Sequence, residues 1–167
     1  MRAFSQTIGA ALLLLPAAAD ARDALGMFGE WGAFHDANPA RCYAIGMAIP
    51  SALHRDFQPW ADVAIWKNVG GQVLRGQVHF RLSRKLMPGG KIDLALGGQH
   101  FMLTGGGADA WGADKRMDAA ITSAMRSAAD MVVSAKGTDG KGFSNTWKLD
   151  GVASAMDAAA LGCANGV

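Results

Sequence analysis

The sequence has few charged residues and no strong excess of either sign. Charged side chains make up 18% of its 167 residues, and 16 Lys and Arg against 14 Asp and Glu leave a net charge of +2. Electrostatic binding of nucleic acid needs a concentrated basic surface, which this balance does not supply. The composition therefore argues against a nucleic-acid partner.

Long apolar runs are also missing, apart from one near the N-terminus. The run Ile8–Ala19 follows the positively charged Arg2 and leads into the small-residue sequence "ADA", which ends at Ala21. The run is shorter than the roughly 20 residues that a transmembrane helix needs, and the whole pattern is typical of a cleaved secretory signal peptide. We predict a signal peptide over 1–21, a mature domain over 22–167 without a transmembrane helix, and a periplasmic or secreted location. The alternative is an uncleaved membrane anchor.

Cysteine is rare, since the chain has only Cys42 and Cys163. An exported protein meets an oxidising compartment, where an even number of cysteines favours pairing, and two cysteines allow one connectivity. The alternative is a nucleophilic Cys42 with His35 as its base, but a free thiolate beside a possible partner does not persist under oxidising conditions. We predict a Cys42–Cys163 disulfide, which closes a loop of about 120 residues.

Recognisable catalytic and metal-binding motifs are missing as well. The sequence contains no G-x-S-x-G, H-E-x-x-H or phosphate-binding loop, and its "GGG" at 105–107 lacks a following Lys-Ser/Thr. The adjacent pair His35–Asp36 points to opposite faces of a strand and cannot chelate one metal. We expect no metal, no cofactor and no catalytic residue. We also expect surface positions for all four histidines, which are His35, His54, His79 and His100.

Glycine, in contrast, is abundant, and its 22 residues mark turns between short segments with strand-like alternation. The clearest strand is 73–84, which has an apolar face of Leu74, Val78, Phe80 and Leu82 and a polar face of Arg75, Gln77, His79, Arg81 and Ser83. Other predicted strands are 26–36, 42–49, 61–67, 131–137 and 143–149, with a hairpin over 92–103, a turn at "ANPAR" and a loop over 51–60.

Two segments have helical periodicity instead. In 112–129, apolar residues that include Met117, Ile121 and Met125 recur at intervals of three and four. The alanine-rich segment 151–163 predicts a short helix that returns the second cysteine to the first. The combined pattern predicts a mainly β fold, a single-domain antiparallel β-sandwich with one amphipathic helix (about 112–129) and a short C-terminal helix.

Several of these segments resemble the invasion-associated locus B family of exported bacterial proteins. The similarity covers most of the mature chain and is strongest in "DAAITSAMRSAADMVVSAKGTDGKGFSNTWKLDGVASAMDAAAL". "FGEWGAF" and "RCYAI" are similar to the opening Trp-containing strand and first cysteine of the family. Many relatives have a further cysteine-containing segment where this chain has "TGGGADAWGAD", so the chain resembles a shortened branch. The resemblance implies a β-sandwich-like fold, an exported location and no enzymatic activity.

The tryptophans include two candidate ligand contacts. Trp31 and Trp147 lie on predicted strands and are expected in the core. Trp60 and Trp111 lie in predicted loops, where an aromatic ring either covers the end of the core or contacts a ligand.

The basic row of Arg75, His79 and Arg81 is the candidate binding surface. Its side chains stand about 7 Å apart along one strand face. The row is either an ordinary solvated face or a surface for anionic lipid, polysaccharide or protein. The sequence therefore predicts an exported, non-enzymatic binding protein with an unknown envelope or protein partner, anionic partners included. The alternative is a periplasmic hydrolase, which converging His, Asp or Glu side chains in a cleft would favour.

Overall fold

The fold is mainly β, with ten strands and two helices in the described part of the chain. The computed structural model describes residues 22–52 and 55–164, without the side chains of residues 68 and 69. The predicted signal peptide and His54 lie outside these residues. The elements in chain order are β1 Arg22–Phe28, β2 Trp31–Ala37, β3 Ala40–Met47, β4 Trp60–Val69, β5 Gln72–Arg81, β6 Ile92–Leu96, β7 Gln99–Gly106, β8 Asp109–Trp111, α1 Lys115–Met125, β9 Asp130–Lys136, β10 Gly142–Lys148 and α2 Val152–Ala164.

These strands form one antiparallel sheet in the order β1-β2-β3-β4-β5-β8-β7-β6-β9-β10. The predicted mainly β, antiparallel fold with an internal and a C-terminal helix is therefore confirmed. The short strand β8 joins the two halves of the sheet, because it pairs with β5 on one side and with β7 on the other. The two layers expected of a sandwich are thus halves of one continuous sheet.

The sheet folds over onto itself around an apolar core. Four strands separate β5 from β10 in the sheet order, which in a flat sheet would place them roughly 24 Å apart. The ring centroids of Phe80 on β5 and Trp147 on β10 are instead 5.7 Å apart. Trp31 of β2 also donates a hydrogen bond from Nε1 to the carbonyl oxygen of Lys148. Trp31 and Trp147 are both fully buried, which confirms the core position predicted for them.

Helix α1 is shorter than the predicted 112–129. The carboxylate of Asp114 accepts a hydrogen bond from the backbone N–H of Met117 at 2.8 Å and so caps the helix directly before its first residue. Ile121 and Met125 are fully buried, as the periodicity predicts, whereas Met117 is only partly buried. The cap explains why the helix begins later than the pattern alone indicates.

Helix α2 packs on β1, β2 and β3 and carries the second cysteine to the sheet. The predicted Cys42–Cys163 disulfide is present, with Cys42 on β3 fully buried. Ala155 and Ala159 are also buried, and such small side chains let the helix axis lie close to the strands. Helix α1 packs against β5 and β6 instead.

One strand prediction and two loop predictions are wrong. Segment 26–36 is not one strand, because the turn at Gly29 divides it between β1 and β2. Trp60 and Trp111 do not lie in loops: Trp60 begins β4, and Trp111 ends β8. Strand β8 has only three residues and follows a glycine run, so no local alternation marks it.

Candidate functional site

One face of the half-sheet formed by β1 to β5 and β8 is turned away from the core, and we call it the outer face. The strand register brings together on this face residues that are distant in sequence. His79 of β5 pairs with Trp111 of β8, and Arg81 lies between its partners Trp60 of β4 and Asp109 of β8. We call Trp60, His79, Arg81, Asp109 and Trp111 the outer cluster. It unites two of the predicted basic residues with both predicted aromatic contacts.

One carboxylate and a set of ring contacts hold the outer cluster together. The carboxylate of Asp109 accepts a hydrogen bond from Nη1 of Arg81 at 2.7 Å and lies 3.0 Å from Nε2 of His79. The His79 ring stacks on Trp111 with centroids 5.0 Å apart and meets Trp60 edge-on at 4.8 Å. Both tryptophans remain partly exposed. The cluster is therefore a pre-formed aromatic platform with fixed polar groups beside it.

The outer cluster has no net charge near neutral pH. Burial lowers the pKa of His79 below its ordinary value, and the hydrogen bond with Asp109 offsets only part of that effect. The imidazole is therefore neutral at pH 7, while Arg81 and Asp109 compensate each other. Within the outer cluster, Asp109 therefore already supplies the charge opposite to Arg81.

Arg75 does not belong to the outer cluster. The pairing of β4 with β5 is irregular just before the pair Trp66–Leu74. Gly76 adopts a φ of +72° at this point, a conformation that glycine adopts readily and that β-bulges often require. Leu74, rather than Arg75, is therefore the residue opposite Trp66. The bulge breaks the predicted row of three basic residues and leaves Arg75 exposed at one end of the strand.

Asp62 of β4 lies on the outer face beside the cluster and is only 3% exposed. Its cross-strand neighbours are Ile45 on β3 and His79 on β5. Burial raises the pKa of Asp62 to about 7, against the opposing effect of Arg41, whose Nη1 is 3.8 Å from the carboxylate. Sequence reasoning missed this residue. The signal for it is an acidic side chain within the otherwise apolar strand segment "ADVAIW".

Arg41 links Asp62 to a second group of charges on the outer face. Its guanidinium donates to the Asp36 carboxylate at 2.9 Å and lies over the ring of Trp66, 4.9 Å from the centroid. Asp36 also accepts a hydrogen bond from Nε of Arg22 at 3.1 Å. Partial burial alone would raise the pKa of Asp36, but the hydrogen bonds from Arg41 and Arg22 outweigh it and lower the pKa. Both arginines therefore have an acidic partner within the chain.

The described histidines, His35, His79 and His100, do not belong to a metal-binding cluster. His35 is buried rather than at the surface, which corrects the prediction for it, and its Nδ1 is 3.4 Å from the Asp23 carboxylate. Asp36 faces the other side of the sheet from His35, as predicted for neighbours on a strand. His100 is exposed next to Asp93. Within residues 22–52 and 55–164, no group of three or more His, Cys, Asp or Glu side chains is arranged to hold a metal ion.

The Cys42–Cys163 disulfide is compatible with an extracytoplasmic protein. The disulfide is typical of proteins that reach an oxidising compartment. No helix among the described residues is both long and apolar enough to cross a membrane. The resemblance to the invasion-associated locus B family stays a prediction, because no family model, no curated protein and no solved structure matches this chain.

Proposed function

We propose that the protein is an exported binding protein of the cell envelope, similar in kind to invasion-associated locus B proteins, and that the outer cluster is its recognition surface. The observation that carries this proposal is the convergence of Trp60 and Trp111 on the two sides of His79. Binding sites commonly combine aromatic surfaces with a few fixed polar groups. Here Arg81 supplies donors, and Asp109 supplies acceptors, at the edge of the platform.

The charge balance of the outer cluster favours a partner that is recognised by stacking and hydrogen bonds. An anionic lipid surface is bound mainly through uncompensated Lys and Arg side chains, and the one arginine of the cluster is already paired with Asp109. A sugar ring has an apolar face, which packs on tryptophan. It also has hydroxyl groups, which form hydrogen bonds to both members of an Arg–Asp pair. We therefore propose an envelope polysaccharide as the partner.

Electrophoresis in native gels that contain purified lipopolysaccharide or soluble peptidoglycan fragments tests this proposal. We expect at least one of these polymers to slow the wild-type protein and to slow Trp60→Ala and Trp111→Ala much less. The matched control is Arg75→Gln, which changes an exposed residue of β5 outside the outer cluster and should migrate like the wild type. The difference should persist at high salt, because stacking is not screened as ion pairs are. Equal retardation of Trp111→Ala and the wild type by both polymers would contradict the proposal.

One observation favours the hydrolase alternative. Asp62, with a pKa of about 7, lies opposite His79, whose pKa is lowered. Such a pair offers a neutral acid and a neutral base, as many hydrolytic sites do. With 3% exposure, however, Asp62 does not reach a substrate unless the strands move, so binding is the better supported function. Hydrolysis of a chromogenic ester that disappears in both Asp62→Asn and His79→Gln would reverse this preference.

A further inference from the structure

A pocket of about 430 Å³ opens at the end of the sheet where β5 ends and β10 begins. Ile49 and Arg55, from the described parts of the connection between β3 and β4, complete its wall. Its volume falls within the range of sites that hold small molecules, roughly 300–1,000 Å³. No residue of the outer cluster lines this pocket, so a ligand there is independent of the function proposed above.

Positive charge exceeds negative charge in the pocket. Its charged lining residues are Arg55, Arg84, Asp139 and Lys141. Arg84 donates from Nη2 to one carboxylate oxygen of Asp139 at 2.5 Å, and the backbone N–H of Lys141 donates to the other at 3.1 Å. These hydrogen bonds lower the pKa of Asp139, which therefore stays ionised. Three cations and one carboxylate leave a charge of about +2 to be met by a ligand.

The uncharged lining is fixed in place. Asn145 and Ser83 are 5% and 6% exposed. The backbone N–H of Ser83 donates to Oδ1 of Asn145 at 3.0 Å, and Nδ2 of Asn145 donates to Oγ of Ser83 at 2.9 Å. The guanidinium of Arg84 lies 5.8 Å from the centroid of the Phe143 ring, which lines the pocket with Ile49. The pocket thus combines a rigid polar part, an apolar wall and excess positive charge.

We propose that this pocket binds a phosphate monoester, with the phosphate group against Arg55, Arg84 and Lys141 and the organic part against Phe143. A phosphate monoester carries about −1.5 to −2 charges at pH 7, which matches the charge that Asp139 leaves uncompensated. Arginine forms paired hydrogen bonds to phosphate oxygens, and lysine adds a point charge. A carboxylate ligand carries half the charge and leaves one cation unmatched.

Calorimetric titration of the full-length mature protein with phenyl phosphate tests the proposal, with benzoate as the monoanionic comparison. We expect phenyl phosphate to bind more tightly than benzoate. The double substitution Arg55→Gln/Lys141→Gln should weaken phenyl phosphate binding by about tenfold or more, because it removes two charge-assisted contacts. The matched control is Lys115→Gln/Arg116→Gln, which removes one lysine and one arginine from exposed positions on α1. Both double variants change exposed side chains, and a thermal melt verifies that each is folded.

A second arm uses vesicles of phosphatidylcholine that contain phosphatidic acid, since the same group occurs on lipids. If phenyl phosphate binds the wild type and the α1 control but not Arg55→Gln/Lys141→Gln, the result supports a free monoester as the ligand. If the wild type binds the vesicles but not phenyl phosphate, and the same variant loses vesicle binding, the result supports a lipid headgroup as the ligand. The proposal is overturned if neither probe binds, if benzoate binds as tightly as phenyl phosphate, or if the α1 control loses as much affinity as the pocket variant.

Discussion

The two faces of the central strands β3, β4 and β5 are both largely covered, but by different means. On the inner face, Ala44, Val63 and Val78 are buried within the apolar core. On the outer face, Tyr43 and Asp62 are 1% and 3% exposed beneath charged and aromatic side chains of the same sheet. Alternation along a strand therefore distinguishes apolar from polar residues here, but it does not distinguish buried from exposed ones.

The two faces are stabilised by different interactions. The inner face depends on the removal of apolar area from water, which changes little with pH or salt. The outer face depends on paired charges and on a carboxyl group whose protonation changes near neutral pH, so it responds to both. Variants of each face should separate these contributions.

The largest effect is expected from a charge placed in the inner core. Ile121 of α1 is fully buried, so Ile121→Asp introduces an unpaired carboxylate and should lower the free energy of unfolding by about 5 kcal/mol or prevent folding. The matched control is Ala120→Asp at the neighbouring exposed position, which should cost less than about 1 kcal/mol. Urea unfolding measures both. Similar urea midpoints for the two variants would show that Ile121 does not lie in the core.

The next largest effect is expected from loss of the disulfide on the same face. The bond joins residues separated by 121 positions, and replacing Cys42 and Cys163 by alanine should lower the free energy of unfolding by about 4 kcal/mol. Non-reducing peptide mapping of protein from the host should find the two cysteine peptides linked. Complete labelling of both thiols without a reductant would show that the bond does not form.

A smaller and pH-dependent effect is expected on the outer face. Asp62 has an ordinary pKa of 3.8 when unfolded and a pKa of about 7 when folded, so between these values the native state holds a proton that the unfolded state has lost. The contribution of Asp62 to the free energy of unfolding is fully present below about pH 4. It is lost as the pH rises to about 7, by at most about 4 kcal/mol. We expect about half of that amount, because the native state relaxes around a buried charge.

Asp62→Asn should remove this part of the pH dependence and leave the variant more stable than the wild type at about pH 8. Urea unfolding at a series of pH values measures the slope. Glu30→Gln, which changes an exposed carboxylate, is the control and should keep the slope of the wild type. An unchanged slope in Asp62→Asn would show that another group is responsible.

The smallest effects should distinguish the two arginines of β5. Arg81→Gln breaks the ion pair between Arg81 and Asp109, whose side chains are 31% and 22% exposed, respectively. Because the pair is partly solvated, the substitution should lower the free energy of unfolding by about 1 kcal/mol at most. Arg75→Gln should stay within about 0.5 kcal/mol of the wild type and should not change retention by lipopolysaccharide at low or high salt. A loss of retention in Arg75→Gln at low salt only would restore the hypothesis of an anionic partner bound along the strand.

Local pattern was sufficient for much of the fold. The period of the apolar residues located α1 and its buried residues Ile121 and Met125, because helical spacing is a property of neighbouring residues. Two cysteines allowed one pairing, so Cys42–Cys163 followed from the count and the predicted compartment. The same reasoning failed at β8, whose three residues are too few for a period, and at Gly76, where a bulge breaks the alternation.

The candidate site depends on more than any local pattern contains. Chain order separates Trp60, His79 and Trp111 widely, and only the register of β4, β5 and β8 makes their rings neighbours. Alternation predicts the side that a residue takes on a regular strand, but strand order, register and bulges decide what stands beside it. The pKa of Asp62 is decided in the same way, because the groups that exclude water from that carboxyl belong to other strands. Backbone periodicity is a local property, whereas burial and charge pairing arise only when distant segments come into contact.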